Sequence, residues 1–247
     1  MDDSIILPIT SYLQSFNGES LSLISFVIAV IAMLAMFRLF GLVGLYVYCS
    51  SATITANIQV LKLMNFESLS DPVALGTATF STIFLCNDII TEHYGKEAAK
   101  KCIWLSFITQ VVITITMVIA VGFKPLEGDV CHDAMSTLFL PAPRLLIASL
   151  AAFVVSQLFN INIFAFLSNY FKEKMLWLRS NVALMVSELI DNIIFSSLAW
   201  VILSPTPVSN STLIYTYILG TYLLRVVFAL FSTPIIYWSY YFKPEAE

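Results

Sequence analysis

The chain has 247 residues, 59% hydrophobic and only 11% charged, with a mean hydropathy of +0.87. Soluble domains usually carry about a quarter charged residues, so this composition excludes the soluble class. The formal charge of −4 says little about partners, because most of the surface should face lipid, and no nucleic-acid partner is expected.

The N-terminus opens Met1-Asp2-Asp3 without a basic segment, so no cleavable secretory signal is expected. A helix needs about 20 apolar residues to cross the hydrocarbon core. Seven stretches qualify, at roughly 21–37, 43–63, 73–92, 101–123, 145–168, 181–203 and 213–238. They are continuously apolar rather than alternating, which excludes a β-barrel. The first break is marked only by Arg38, Gly41 and Gly44, and a re-entrant hairpin is the alternative there. The longest loop, about 124–143, contains Pro125, Pro141 and Pro143 and should cap the outer face. The expectation is an all-α integral membrane protein, a bundle of about seven transmembrane helices forming one domain over residues 1–247.

Positive charge orients such a bundle. With the N-terminus outside, the inner connections and tail hold Arg38, Lys96, Lys100, Lys101, Lys172, Lys174, Arg179 and Lys243, eight of the twelve Lys and Arg. Lys62, Lys124 and Arg144 fall outside, and Arg225 lies within the last span. Trp104, Trp177, Trp238, Tyr240 and Tyr241 fall near the inner boundary and Trp200 near the outer one, as interfacial aromatics do. The expectation is a multi-pass protein of a bacterial inner membrane with its C-terminus in the cytoplasm.

Ionisable side chains inside spans are costly and need partners or a wet cavity. The third span carries Asp88 and Glu92, four apart and so on one helix face. The sixth carries Glu188 and Asp191, three apart, and the seventh carries Arg225 close to mid-membrane. Asp88 and Glu188 should lie within about two turns of the cytoplasmic ends, with Asp191 one turn deeper. Asn57 in the second span and Gln157 and Asn160 on one face of the fifth add uncharged polar groups. Together these residues suit a polar cavity with apolar walls, the shape of a small-molecule site. Glu92 reads more as an interfacial structural residue, Glu188 as either ligand or interface, and Arg225 as a counter-ion for Asp191 or Asp88. Asn57 and Gln157 also have a plain reading as helix-to-helix hydrogen bonds.

Other chemistry finds little support. Cys49, Cys86, Cys102 and Cys131 have no paired spacing, and His93 and His132 have no metal partner at helical spacing. There is no phosphate-binding loop. No cofactor or metal is expected.

The stretch from Thr79 to Ala98, TFSTIFLCNDIITEHYGKEA, resembles a family signature in which an apolar span ends F-L-x-x-D-I-x-x-E-x-Y-G-x-x-x-A. The family is that of the queuosine-precursor transporters, also called the vitamin-uptake-transporter or YhhQ family. The segments Ala56–Lys62, Ser156-Gln157 and Leu189–Phe195 fit it as well, as do Arg225 and Pro234 in the last span. The resemblance covers about residues 45–240. It implies a six-span core, here with one extra N-terminal helix at about 21–37. It also implies a non-enzymatic carrier importing 7-deazaguanine bases such as preQ0, preQ1 or queuine for tRNA modification. Asn57, Asp88, Gln157, Asp191 and Arg225 are the matching site residues.

Such a base presents N1–H and an exocyclic amine in parallel, which a carboxylate accepts together. Asn57, Gln157 or Arg225 would donate to its carbonyl and ring nitrogen, and Phe84 or Phe195 would face the ring. Glu188 is kept as a candidate ligand from its position beside Asp191. The alternatives are a substrate-binding subunit of a multi-component importer and, in a different class, an intramembrane enzyme. Oligomeric state, a homo-oligomer included, is left open.

Overall fold

The structure is a computed structural model describing residues 3–67, 73–140, 143–204 and 206–244. Met1, Asp2 and Pro141, weighed above from sequence, lie outside the described residues. The described chain is almost entirely helical. Its elements are α1 (Asp3–Leu13), α2 (Gly18–Gln59), α3 (Thr77–Tyr94), α4 (Lys96–Val121), α5 (Val130–Phe139), α6 (Pro143–Tyr170), α7 (Leu176–Ile202) and α8 (Asn210–Phe242). A two-residue antiparallel pair, Leu63-Met64 with Val73-Ala74, joins α2 to α3.

Five helices, α2, α4, α6, α7 and α8, are long and apolar enough to cross a membrane. At 42 residues α2 would extend about 60 Å if straight, twice the hydrocarbon thickness. It does not stay straight. Gly41 adopts φ 55° and ψ −136°, a conformation open essentially to glycine alone, and the helix folds back there. The start of the first half then meets the end of the second, since a Cβ on Gly18 would come 2.6 Å from the Asn65 carbonyl oxygen. Gly44 completes the corner, because a Cβ there would collide with the Met36 carbonyl oxygen. Residues 18–40 and 42–59 are each long enough to span, which suits two crossing helices.

The remaining span is α3. It is too polar to qualify by composition, and it is the innermost helix: every residue from Ser81 to Thr91 is buried. It touches α2, α4, α6, α7 and α8. With α3, and the two halves of α2 taken separately, the bundle has seven long helical segments. Their outer faces carry the exposed aliphatics that lipid requires, such as Ile28 and Ile31 on α2, Val112 and Ile119 on α4, and Leu223 and Leu230 on α8.

One end of the bundle gathers the α2 corner, the α3–α4 turn and the C-terminal end of α8. Arg38 donates to the Lys243 carbonyl at 3.3 Å, and Tyr46 to the Ala98 carbonyl at 3.0 Å. The α3–α4 turn is a single residue, Gly95, at φ 84°. The other end gathers Gly18, the short strands and α5, whose Asp129 side chain caps the helix by accepting from the Cys131 and His132 amides. Helices α1 and α5 were not anticipated, being too short to register as apolar runs.

Placing alanine at Gly41 should destabilise the protein by about 1–3 kcal/mol, the cost of holding a non-glycine residue in such a conformation. Thermal unfolding in detergent would measure it. Gly220→Ala, at an ordinary helical φ of −60°, is the control and should cost far less.

Candidate functional site

The polar residues of α3 face α6, α7 and α8, and their partners form a column along that interface. Nearest the Gly95 end, Arg179 at the start of α7 is fully buried. Its guanidinium grips both Glu92 oxygens at 3.0 and 3.1 Å, as well as the Ser168 hydroxyl at 2.6 Å and the Glu173 carbonyl at 3.0 Å. Tyr240 of α8 donates to the same Glu92 carboxylate at 2.6 Å. The turn that Arg179 ties down is strained, with Lys172, Glu173 and Met175 all at positive φ. Arg179, expected from sequence in an inner connection, is therefore an interior cross-link between α3, α6 and α7. One charge in that loop count is spent inside the protein.

One turn further along α3, Asp88 is fully buried and accepts from Asn160 of α6 and Ser180 of α7, both at 2.7 Å. Its neighbour Asn87 donates to the Gln157 side-chain oxygen at 2.9 Å. Two adjacent residues of α3 thus engage two α6 residues three apart, on one face.

Glu188 is fully buried, and its Oε1 accepts from Ser81 of α3 at 2.9 Å. The expectation that it lies within two turns of a helix end is corrected. Because Arg179 is interior, α7 begins at Leu176, and Glu188 sits twelve residues along it, about 18 Å. Its side chain is enclosed by the bundle. Asp191, a turn beyond, accepts from Ser156 at 3.0 Å and pairs with Arg225 at 2.7 Å. Arg225 is aimed there by α8, which runs with π-type hydrogen bonding over Leu213–Gly220 before becoming α-helical at Thr221. Asn192 of α7 donates to Ile218 O and Thr221 Oγ1 at 2.7 and 2.6 Å, anchoring that junction, a device common at functional sites.

Asp88, Gln157, Glu188, Asp191 and Arg225 are therefore brought together along one interface. Phe84 joins them, buried against Leu184 and Ala229 between α3, α7 and α8. Phe195 is half-buried one turn beyond Asp191. Asn57 lies elsewhere: it accepts from Ser149 and donates to its own helix at Thr53 O. Ser149 is eight residues from Gln157 along α6, about 12 Å of helix. Sequence reading passed over Ser81, Ser180 and Arg179. Serine is ordinary in transmembrane helices and gives no signal, and Arg179 resembled a boundary cation.

Among the described residues, several buried polar atoms along the column have no hydrogen-bond partner. Glu188 Oε2, Asn87 Oδ1 and Asn160 Oδ1 are acceptors; Gln157 Nε2 and Arg225 Nε are donors, and the Ser187 hydroxyl can do either. Such groups are normally satisfied in a stable interior, so an unpaired set of both kinds at one interface suits a polar ligand.

The chain was compared with known proteins. The family model described as "Putative vitamin uptake transporter" matches residues 74–239. A Bacillus subtilis protein named "Probable queuosine precursor transporter" is 32% identical over 204 residues, 82% of this chain and 86% of that protein. A Haemophilus influenzae protein of the same name is 26% identical over 125 residues, 51% of each chain. No solved structure matches.

Removing Arg179 alone would strand Glu92 in the interior and free the strained turn. Arg179→Met should cost about 3–5 kcal/mol, the usual penalty for breaking a buried ion pair. The paired change Arg179→Met with Glu92→Gln should recover part of that loss, read as protein yield and detergent melting midpoint.

Proposed function

The chain belongs to the vitamin uptake transporter family, and from that premise we propose that it carries a queuosine precursor into the cytoplasm for tRNA modification. The cargo is a 7-deazaguanine base such as queuine, preQ1 or preQ0. The observation that carries this reading is the buried column of mixed donors and acceptors on α3, α6, α7 and α8, in a chain similar to proteins named for that cargo.

Asp88 is the carboxylate that reads the guanine-like edge. Both its oxygens are fixed by neutral donors and keep lone pairs free, so they can accept N1–H and the exocyclic amine together. Gln157 Nε2 and Arg225 Nε supply donors for the base's carbonyl and ring nitrogen. Asp191 neutralises Arg225 and holds it in place. Phe84, on the turn before Asp88, gives the ring an apolar wall. A site that hydrogen-bonds an edge this fully rejects bases lacking those groups, because its own polar groups would be left unpaired. The site lies within the bundle, reached from either side by rearrangement of helices around it, as in transporters generally.

In a strain lacking its own carrier and starved of precursor, the gene should restore uptake and queuosine in tRNA. Asp88→Ala should lower uptake by about tenfold or more at unchanged membrane abundance, since hydrogen bonds to a charged group contribute about 1.5–3 kcal/mol. Full rescue by the Asp88→Ala, Asp191→Ala double variant would sink the site.

The basic Gly95 end is the cytoplasmic one in this reading, which puts α5 outside. Cys131 on α5 is exposed, whereas Cys49, Cys86 and Cys102 are buried. A membrane-impermeant maleimide should label Cys131 in intact cells. Labelling only after the membrane is broken would reverse the orientation.

A further inference from the structure

The charges along the column do not balance. Among the described residues its carboxylates are Asp88, Glu188 and Asp191, and the cation among them is Arg225. Arg179 does not contribute, being spent on Glu92. Arg225 is committed to Asp191, and Asp88 is held by two neutral donors. Among the described residues Glu188 has one neutral donor, Ser81, and its second oxygen has none. Around it stand Arg225 and Tyr222 of α8, Asp191 on its own helix and Asp88 across on α3. A fully buried carboxylate with an unpartnered oxygen, in a set where acidic groups outnumber basic ones, is complementary to a cation.

We propose that Glu188 receives a positively charged amine on the transported base and so discriminates amine-bearing precursors from uncharged ones. This rests on the transport reading above. An ammonium has three donors and no acceptor, matching an oxygen that lacks any donor. Position agrees as well. Ser81, which fixes Glu188, lies seven residues from Asp88 on α3, about 10 Å of helix. That separation suits a bicyclic base lying between the two carboxylates, its guanine-like edge on Asp88 and an aminomethyl group at C7 reaching Glu188. Phe84 lies between them on α3, at the level where the rings would pass. A nitrile at C7 carries neither the charge nor the protons and gains nothing from Glu188.

The test compares uptake of radiolabelled 7-aminomethyl- and 7-cyano-7-deazaguanine in cells producing wild type, Glu188→Gln or Glu188→Asp, with membrane abundance measured by immunoblot. In Glu188→Gln, uptake of the aminomethyl base should fall by about tenfold or more while that of the cyano base stays within about twofold. Glu188→Asp, which keeps the charge, should recover part of the loss. Equal loss of both bases would overturn the assignment, assigning Glu188 to their shared edge or to a coupling proton; so would no loss of either. Independently of any variant's folding, purified wild type should bind the aminomethyl base about tenfold more tightly, and equal affinity would overturn the proposal. Uptake of neither base by the wild type would overturn the transport reading and this inference with it, whereas the preceding failures remove this inference alone.

Discussion

Within a bilayer there is no water to satisfy a stray polar group, so every ionisable side chain in a span must find its partner inside the protein. That constraint places α3. It carries Asn87, Asp88 and Glu92 within six residues and could not face lipid on the side that bears them. The bundle therefore closes around it, with α2 and α4 supplying mostly apolar contact and α6, α7 and α8 supplying polar partners. The helix least able to enter a membrane alone is the one the other spans enclose.

The partners sort the carboxylates into different duties. Glu92 is saturated by Arg179 and Tyr240, and together they tie α3, α7 and α8 to a strained turn at the Gly95 end. Among the described residues, the Arg179 Nε is the one buried side-chain atom of that cluster without a hydrogen-bond partner. Asp88, Glu188 and Asp191 lie deeper and are held more sparingly, by serines, an asparagine and one guanidinium. Serine and asparagine fix a carboxylate's direction without pairing it with a cation, which is what the proposed recognition of a polar base requires. The π-type segment of α8 serves the same end. It shifts the helix's register before Thr221, and Asn192 locks the junction one turn before Arg225.

The two glycines of the Gly95 end work on backbone rather than side-chain grounds. Gly41 lets a 42-residue apolar helix become two long helical segments, and Gly95 reverses the chain between α3 and α4 in one residue. The latter turn keeps α4 close beside α3, where Ala99, Cys102 and Ile103 seal its flank.

Much of this was legible in the sequence. Apolar run length marks the long helices, because hydrocarbon thickness and helix rise are constants, and the seven stretches correspond to seven long helical segments, five helices among them long and apolar enough to cross. The signature around Asp88 marked the family. Charges in spans marked Asp88, Glu188, Asp191 and Arg225, because their cost in lipid is independent of neighbours. What sequence could not decide was pairing. Arg179 looked like a loop cation, yet it is a buried cross-link, and Asn57, read from sequence as either a site residue or a helix-to-helix contact, bonds Ser149 about a dozen ångströms of helix from Gln157. Ser81 and Ser180 gave no signal at all. Serine and carboxylate partners lie up to 107 residues apart along the chain, and which serine meets which carboxylate depends on how each helix is rotated about its axis. Local composition says that a polar group must be satisfied; only the packing of five helices around α3 decides by whom.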